Sequence, residues 1–228
     1  MGIKIDTVYN MDCLELMRKM KKVLVSTRPQ WCEKIVSGEK TIEVRKSAPQ
    51  EVPFKCYIYC TSGKSPNVLL KDKNNCFGFG DYRNDGDGFD IANGKVIGEF
   101  ICNEVDEYGY HNLPQFNSIG LPCGSYNSYI ILKSDYEEMC LSYDEVKEYG
   151  EGKTLYGWHI SDLKIYDKPR ELSEFYRNCE KPKCEDCPYF YVVNTPNSVE
   201  TYCEVNEKIP ITRPTQSWCY VEESEKND

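Results

Sequence analysis

From Lys22 onward the chain alternates short apolar runs with polar turns, and the spacing predicts its elements. Val23, Leu24 and Val25 read as a short buried strand, and Ser26-Thr27-Arg28-Pro29 opens a helix with proline near its first turn. That helix, predicted over residues 30–37, turns Trp31, Ile35 and Cys32 inward and stops at Gly38, where a C′ glycine is favoured. Lys40-Thr41-Ile42-Glu43-Val44-Arg45 then alternates with period two, placing Ile42 and Val44 on one face and Thr41, Glu43 and Arg45 on the other. Residues 54–60 and 95–102 read as further strands. The stretches 61–94 and 108–128, rich in turn formers and poor in apolar periodicity, read as surface loops. Ser142 caps a helix that ends at Gly150, with Glu145 in the capping-box position, and LYGWHISDLKIYD follows as two short strands or one bent one. The order β-α-β-β-β-α-β predicts an α+β fold, best solved as a curved or barrel-like sheet with helices covering its ends.

Composition narrows the class. The chain has 228 residues, 40% hydrophobic and 29% charged, which fits a folded, soluble protein of one domain with an appendage. No window approaches 18 consecutive apolar residues, and the N-terminus lacks the apolar core of a secretory signal, so a cytoplasmic protein is expected. The net charge is −9, yet residues 21–75 carry 11 Lys or Arg against 5 acids, while residues 76–178 carry 9 against 19. A polyanion would therefore be met by the first third.

Thirteen cysteines in a chain without an export signal point to metal ligands or free thiols rather than disulfides. Cys179, Cys184, Cys187 and Cys203 follow the spacing C-x4-C-x2-C-x15-C, with Cys219 as a fifth candidate after another 15 residues. Two thiolates from a CxxC turn and two from elsewhere make a tetrahedral all-sulfur site, so a structural zinc is expected, with an iron–sulfur cluster or unligated thiols as alternatives. A metal would supply the core that this apolar-poor segment lacks. The remaining cysteines, including Cys32, Cys56, Cys60 and Cys102, read as buried free thiols. His159 in WHIS reads as a structural imidazole rather than a general base, and the Asp81–Asp90 loop fails the calcium template because Arg83 and Ala92 occupy ligand positions.

The run LVSTRPQWCEKIVSGEKTIEVRK, with KVIGEFIC and GWHISDLKIYD downstream, resembles the ASCH domain of the PUA-like superfamily. The match spans roughly residues 22–167, and the closing TRPTQSWCYVEE with its cysteine module looks like a longer form found in phages and their bacterial hosts. The resemblance implies a small β-barrel over 22–168; the residue pattern adds an N-terminal strand-helix arm (1–21), and the cysteine spacing a zinc-stapled module (169–228). It also implies a cleft beside the first helix that takes RNA, a modified nucleobase or a nucleotide.

The residues offer chemistry for such a guest. Lys40 and Arg45 flank Glu43, giving two cations for a phosphate or carbonyl and one carboxylate for an exocyclic amino group. Arg28 adds a cation, and Trp31 or Trp158, with Tyr57 and Tyr59 as alternatives, can supply a stacking plane. The same row also reads as a solvated line of salt bridges. One ASCH branch comprises amidohydrolases acting on N4-acetylcytidine through a lysine, a threonine and a glutamate. By that resemblance Lys40 takes the lysine's place, Glu43 stands where the threonine belongs, Thr41 is its substitute, and Glu138 lies near the glutamate's place. Binding of RNA or a modified base without chemistry is the favoured expectation. Hydrolysis of an acylated nucleoside and a phage-encoded protein–protein adaptor are the rivals.

Overall fold

The computed structural model describes residues 20–62, 67–71, 77–80, 89–178, 190–195, 198–203 and 208–223. The first half of the chain supplies β1 (Lys21–Thr27), α1 (Pro29–Val36), β2 (Ile42–Arg45), β3 (Phe54–Cys60), β4 (Asn67–Lys71), β5 (Phe77–Gly80), β6 (Phe89–Ile91), β7 (Lys95–Cys102) and β8 (Val105–Tyr108). The second supplies β9 (Tyr110–Phe116), β10 (Pro122–Tyr129), α2 (Lys133–Met139), α3 (Tyr143–Gly150), β11 (Leu155–His159) and β12 (Ser161–Arg170). The last strands are β13 (Phe175–Asn178), β14 (Phe190–Thr195), β15 (Ser198–Cys203), β16 (Lys208–Pro210), β17 (Trp218–Tyr220) and β18 (Glu222–Glu223). The fold is α+β, with mixed sheets and three helices among the described residues.

The unbroken apolar run of β1 has a direct cause: both faces of its sheet are covered. Val23 and Val25 join Phe54, Cys56, Ile58 and Phe100 on one side, under Cys32 and Ile35 of α1. Leu24 joins Tyr57, Tyr59 and Val96 on the other, under Leu172, Phe175, Ile211 and Val221. The sheet has the order β12-β7-β3-β1-β17, with β1 parallel to β3 and the other pairs antiparallel. The C-terminal segment therefore packs directly on the central sheet and adds its edge strand, Trp218 opposite Val25 and Tyr220 opposite Val23.

The expected barrel does not close among the described residues. Strand β2 pairs with β11 rather than with β1 or β3, and β2-β11-β8 forms a second sheet beside the first. One face of β2-β11-β8 carries Trp158 into the cluster of the five-stranded sheet. The opposite face packs Ile42, Val44, Tyr108 and Leu155 against Met139 of α2 and Val146 of α3. Every residue of Ile42–Arg45 is consequently buried.

Local signals hold where the pattern was strong. Helix α1 ends at Gly38 in the left-handed region, φ 79°. Ser142 and Glu145 form the reciprocal capping box of α3, with Glu145 Oε2 accepting from the Ser142 amide at 2.8 Å. Both long loops are corrected. Residues 67–91 contain the small sheet β5-β4-β6, and residues 110–129 form the β9–β10 ribbon. In the ribbon the apolar residues of β9, Tyr110, Leu113 and Phe116, recur every third position, so no period-two alternation marks it. The N-terminal arm and Cys179, Cys184 and Cys187 lie outside the described residues, as does the Cys203 side chain; the Cys203 backbone pairs with Phe190.

Candidate functional site

The chain leaves α1 through Gly38, and the Lys40 amide still bonds back to the Lys34 carbonyl at 2.9 Å. Strand geometry therefore begins only at Ile42, and the expected alternation does not reach Thr41. Lys40, not Thr41, folds in to join Glu43 and Arg45. Lys40 Nζ donates to the Met139 carbonyl at 2.7 Å and stands 3.5 Å from Glu43 Oε2. Arg45 Nη1 meets Glu43 Oε1 at 2.5 Å and also donates to the Val44 carbonyl, while Nη2 donates to the Ser26 carbonyl at 2.8 Å. The residue exposures of Lys40, Glu43 and Arg45 are 3%, 2% and 9%. The solvated salt-bridge row is thereby corrected to an ion triad held between two sheets, because β2 is covered on both faces.

Burial dominates the electrostatics. It pushes the Lys40 ammonium below the ordinary lysine range, with Arg45 adding to the fall and Glu43 opposing it. The neighbouring Cys32 thiol is raised well above its usual value by burial, then by Cys60 and Glu43, so it is not a nucleophile at neutral pH. Cys32, Cys56, Cys60 and Cys102 are buried free thiols, whereas Cys123 is exposed.

Three polar atoms of this region have no hydrogen-bond partner among the described residues: the acceptor Glu43 Oε2, which Lys40 faces as an ion pair, and the donors Arg45 Nε and Trp158 Nε1. Trp158 and Glu43 are cross-strand neighbours on β11 and β2, so both side chains leave the same face. Unpartnered buried groups carry a desolvation cost that a water or a ligand removes.

The aromatic candidates separate. Trp158, Tyr57 and Tyr59 are buried, and Trp158 is wedged edge-on between Phe54 and Trp218 at centroid distances of 5.1 and 5.6 Å. Trp31 is half-buried rather than inward, and Lys40 Nζ lies 5.5 Å from its ring centroid. Arg28 is exposed at the start of α1, immediately after Thr27, whose hydroxyl is 3.5 Å from Arg45 Nη2.

The four hydrolase candidates fall into two pairs. Lys40 and Glu43 are inside. Thr41 Oγ1 donates to Glu138 Oε2 at 3.1 Å on the surface, and the Thr41 amide bonds to the Glu138 carbonyl. Sequence reasoning missed Ser26, Thr27 and the Met139 carbonyl, which hold the cations, since a main-chain acceptor 99 residues away carries no side-chain signal. It also missed that His159 Nε2 is 2.8 Å from Asp106 Oδ2, which in turn accepts from the Tyr108 hydroxyl. Among the described residues no group of His, Cys, Asp or Glu is placed to hold a metal ion, and no helix is long and apolar enough to cross a membrane.

The site and its frame define an α+β chain whose cation–carboxylate–cation triad is clamped between two mixed sheets. No family model matches the sequence, and no curated protein matches it. Among solved structures the chain is similar to the ASCH protein of Zymomonas mobilis, at 20% identity over 67% of this chain and 74% of that one, with a TM-score of 0.39. Two single-residue variants of that protein are similar at 17% and 19% identity, covering 67% of this chain and 76% and 75% of theirs, with TM-scores of 0.38 and 0.39. These structures carry the family name that the Gly38–Arg45 motif resembles.

Proposed function

We propose that the protein binds RNA, or a modified nucleobase or nucleotide, beside α1 without altering it. The observation that carries this reading is a pair of buried donors without a hydrogen-bond partner, Arg45 Nε and Trp158 Nε1, beside the Glu43 carboxylate that Lys40 and Arg45 flank. A base edge presents the complementary groups, an amino donor beside carbonyl acceptors. Trp31 supplies the stacking plane and Arg28 the exposed cation for a phosphate, within the basic first third of the chain. The acidic remainder disfavours long duplexes and favours a short single strand or a free nucleotide.

The test is isothermal titration of the full chain with single-stranded RNA, cytidine and N4-acetylcytidine. Trp31→Ala is expected to weaken binding by about 1–3 kcal/mol, the usual worth of a base–aromatic stack. Arg28→Ala should weaken RNA most at low salt. Both side chains reach the surface, so melting temperatures should hold; equal affinity in wild type and both variants sinks the reading.

A second reading, hydrolysis of an acylated nucleoside, draws on the lowered Lys40 pKa and the Thr41–Glu138 hydrogen bond. It requires acetate release from N4-acetylcytidine that Thr41→Val abolishes. For the C-terminal cysteines we propose a structural zinc held by Cys179, Cys184, Cys187 and Cys203. Elemental analysis of fresh protein should find about one equivalent, as one four-sulfur site requires, and less than about half removes the proposal.

A further inference from the structure

The β9–β10 ribbon lies outside the nucleotide-site argument and has an unusual composition. From Tyr108 to Leu132 the chain contains no Asp, Glu, Lys or Arg, although 29% of the whole is charged. The ribbon pairs only with itself among the described strands, so both outer edges present unpaired backbone groups. Its root is fixed. Tyr110 packs on Tyr129 at a centroid distance of 4.8 Å, and the buried Tyr129 donates to the Lys153 carbonyl at 2.7 Å. A side chain at Gly150 would collide with the Tyr129 hydroxyl, so that glycine admits the anchor. Its tip is ordered too, since the Asn117 side-chain oxygen accepts from the amides of Ile119 and Leu121. What the tip displays is apolar: Phe116, Ile119 and Leu121 are 56%, 77% and 57% exposed, followed by exposed Ile130 and Leu132.

We propose that this arm is the docking surface for a second copy of the chain. Charge permits this occupant. Two chains of net charge −9 repel where acidic faces meet, and an uncharged arm lets them touch without opposing like charges. Symmetry agrees, because a two-fold contact must match itself, and an antiparallel strand edge offers its own copy identical donors and acceptors. Size agrees as well: a standard interface uses roughly 20–30 residues a side, and the arm with its apolar extension runs from 110 to 132.

The experiment is sedimentation equilibrium of the full chain at concentrations up to about 100 μM, a range that captures weak, micromolar association. The expected mass is twice 26.5 kDa. The double variant Ile119→Glu/Leu121→Glu should raise the dimer dissociation constant about tenfold or more by placing like charges at the centre of the contact. Its melting temperature at a concentration where wild type is monomeric should not move, because both side chains are exposed. A wild type that stays at the mass of one chain overturns the proposal. So does a double variant that dimerises as tightly as wild type. A monomer whose arm gains hydrogen-exchange protection only with single-stranded RNA assigns the surface to nucleic acid instead.

Discussion

Arg45 and Lys46 are neighbours in sequence, and each pairs with a carboxylate, but the two pairs live in different media. Lys46 reaches Glu151 across open surface at 2.7 Å, where water and salt compete for both ions. Arg45 meets Glu43 between two sheets, with Lys40 at the other carboxylate oxygen, and all three side chains are largely withdrawn from bulk water. The buried pair is not thereby a large net stabiliser, since both ions lost their hydration on folding. The two pairs differ most in what happens when one partner is removed. The surface partner returns to water, whereas the buried partner is left charged and alone. Burial, not separation, sets the penalty.

The largest expected effect follows from that asymmetry. Arg45→Met should destabilise the fold by about 3–5 kcal/mol, the cost of orphaning a buried carboxylate, measured by urea unfolding at neutral pH. The triple change Lys40→Met, Glu43→Leu, Arg45→Met removes all three ions together. It should recover most of that loss, and it should abolish the nucleotide binding proposed for this site. Recovery of neither would show that the triad holds the sheets by more than charge balance.

A pH experiment sharpens the comparison at Lys40. Its amine is less basic folded than unfolded, so the unfolded chain binds the proton more readily. Stability linked to Lys40 should therefore rise as pH climbs through the lowered value and level off at the ordinary lysine value, about 10.4. Tyrosines titrate in the same range, several of them raised by burial. The difference between wild type and Lys40→Met, followed from pH 7 upward, isolates the lysine. A difference that stays flat excludes the buried ammonium.

Smaller again is the helix cap. Ser142→Ala should cost about 1 kcal/mol, the usual worth of an N-cap. The paired Glu145 is held below the ordinary glutamate range by the Ser142 amide and then its hydroxyl. Its contribution is complete above that range and disappears as pH falls through the depressed value, so wild type and Glu145→Ala should converge in acid, while the cap bond from the Glu145 amide to the Ser142 hydroxyl keeps Ser142→Ala below wild type. Least of all, Lys46→Ala should leave the denaturation midpoint unmoved. A clear shift would mean that the surface pair is not solvated as its exposure indicates.

How far the sequence could be read depended on the range of the interaction. Gly38 after the α1 pattern and Ser142 with Glu145 ahead of α3 are signals complete within one helical turn, and both formed as expected. Lys40, Glu43 and Arg45 were legible as a cluster because they share one short segment. Thr41 was misplaced because alternation was extended one residue past the start of the strand. The β9–β10 ribbon was missed because its apolar residues do not alternate with period two, leaving cross-strand pairing to define it.

By itself the sequence determined the α+β class, the boundaries of α1 and α3 and the grouping of two cations around a carboxylate, since each depends on residues a few positions apart; α2 was not foreseen. Whether that group stood in water or between sheets was decided only when β11, more than 100 residues downstream, paired with β2 and the two helices just ahead of β11 closed over the other face. Hydration is a property of what lies on both sides of a strand, and no local pattern specifies both.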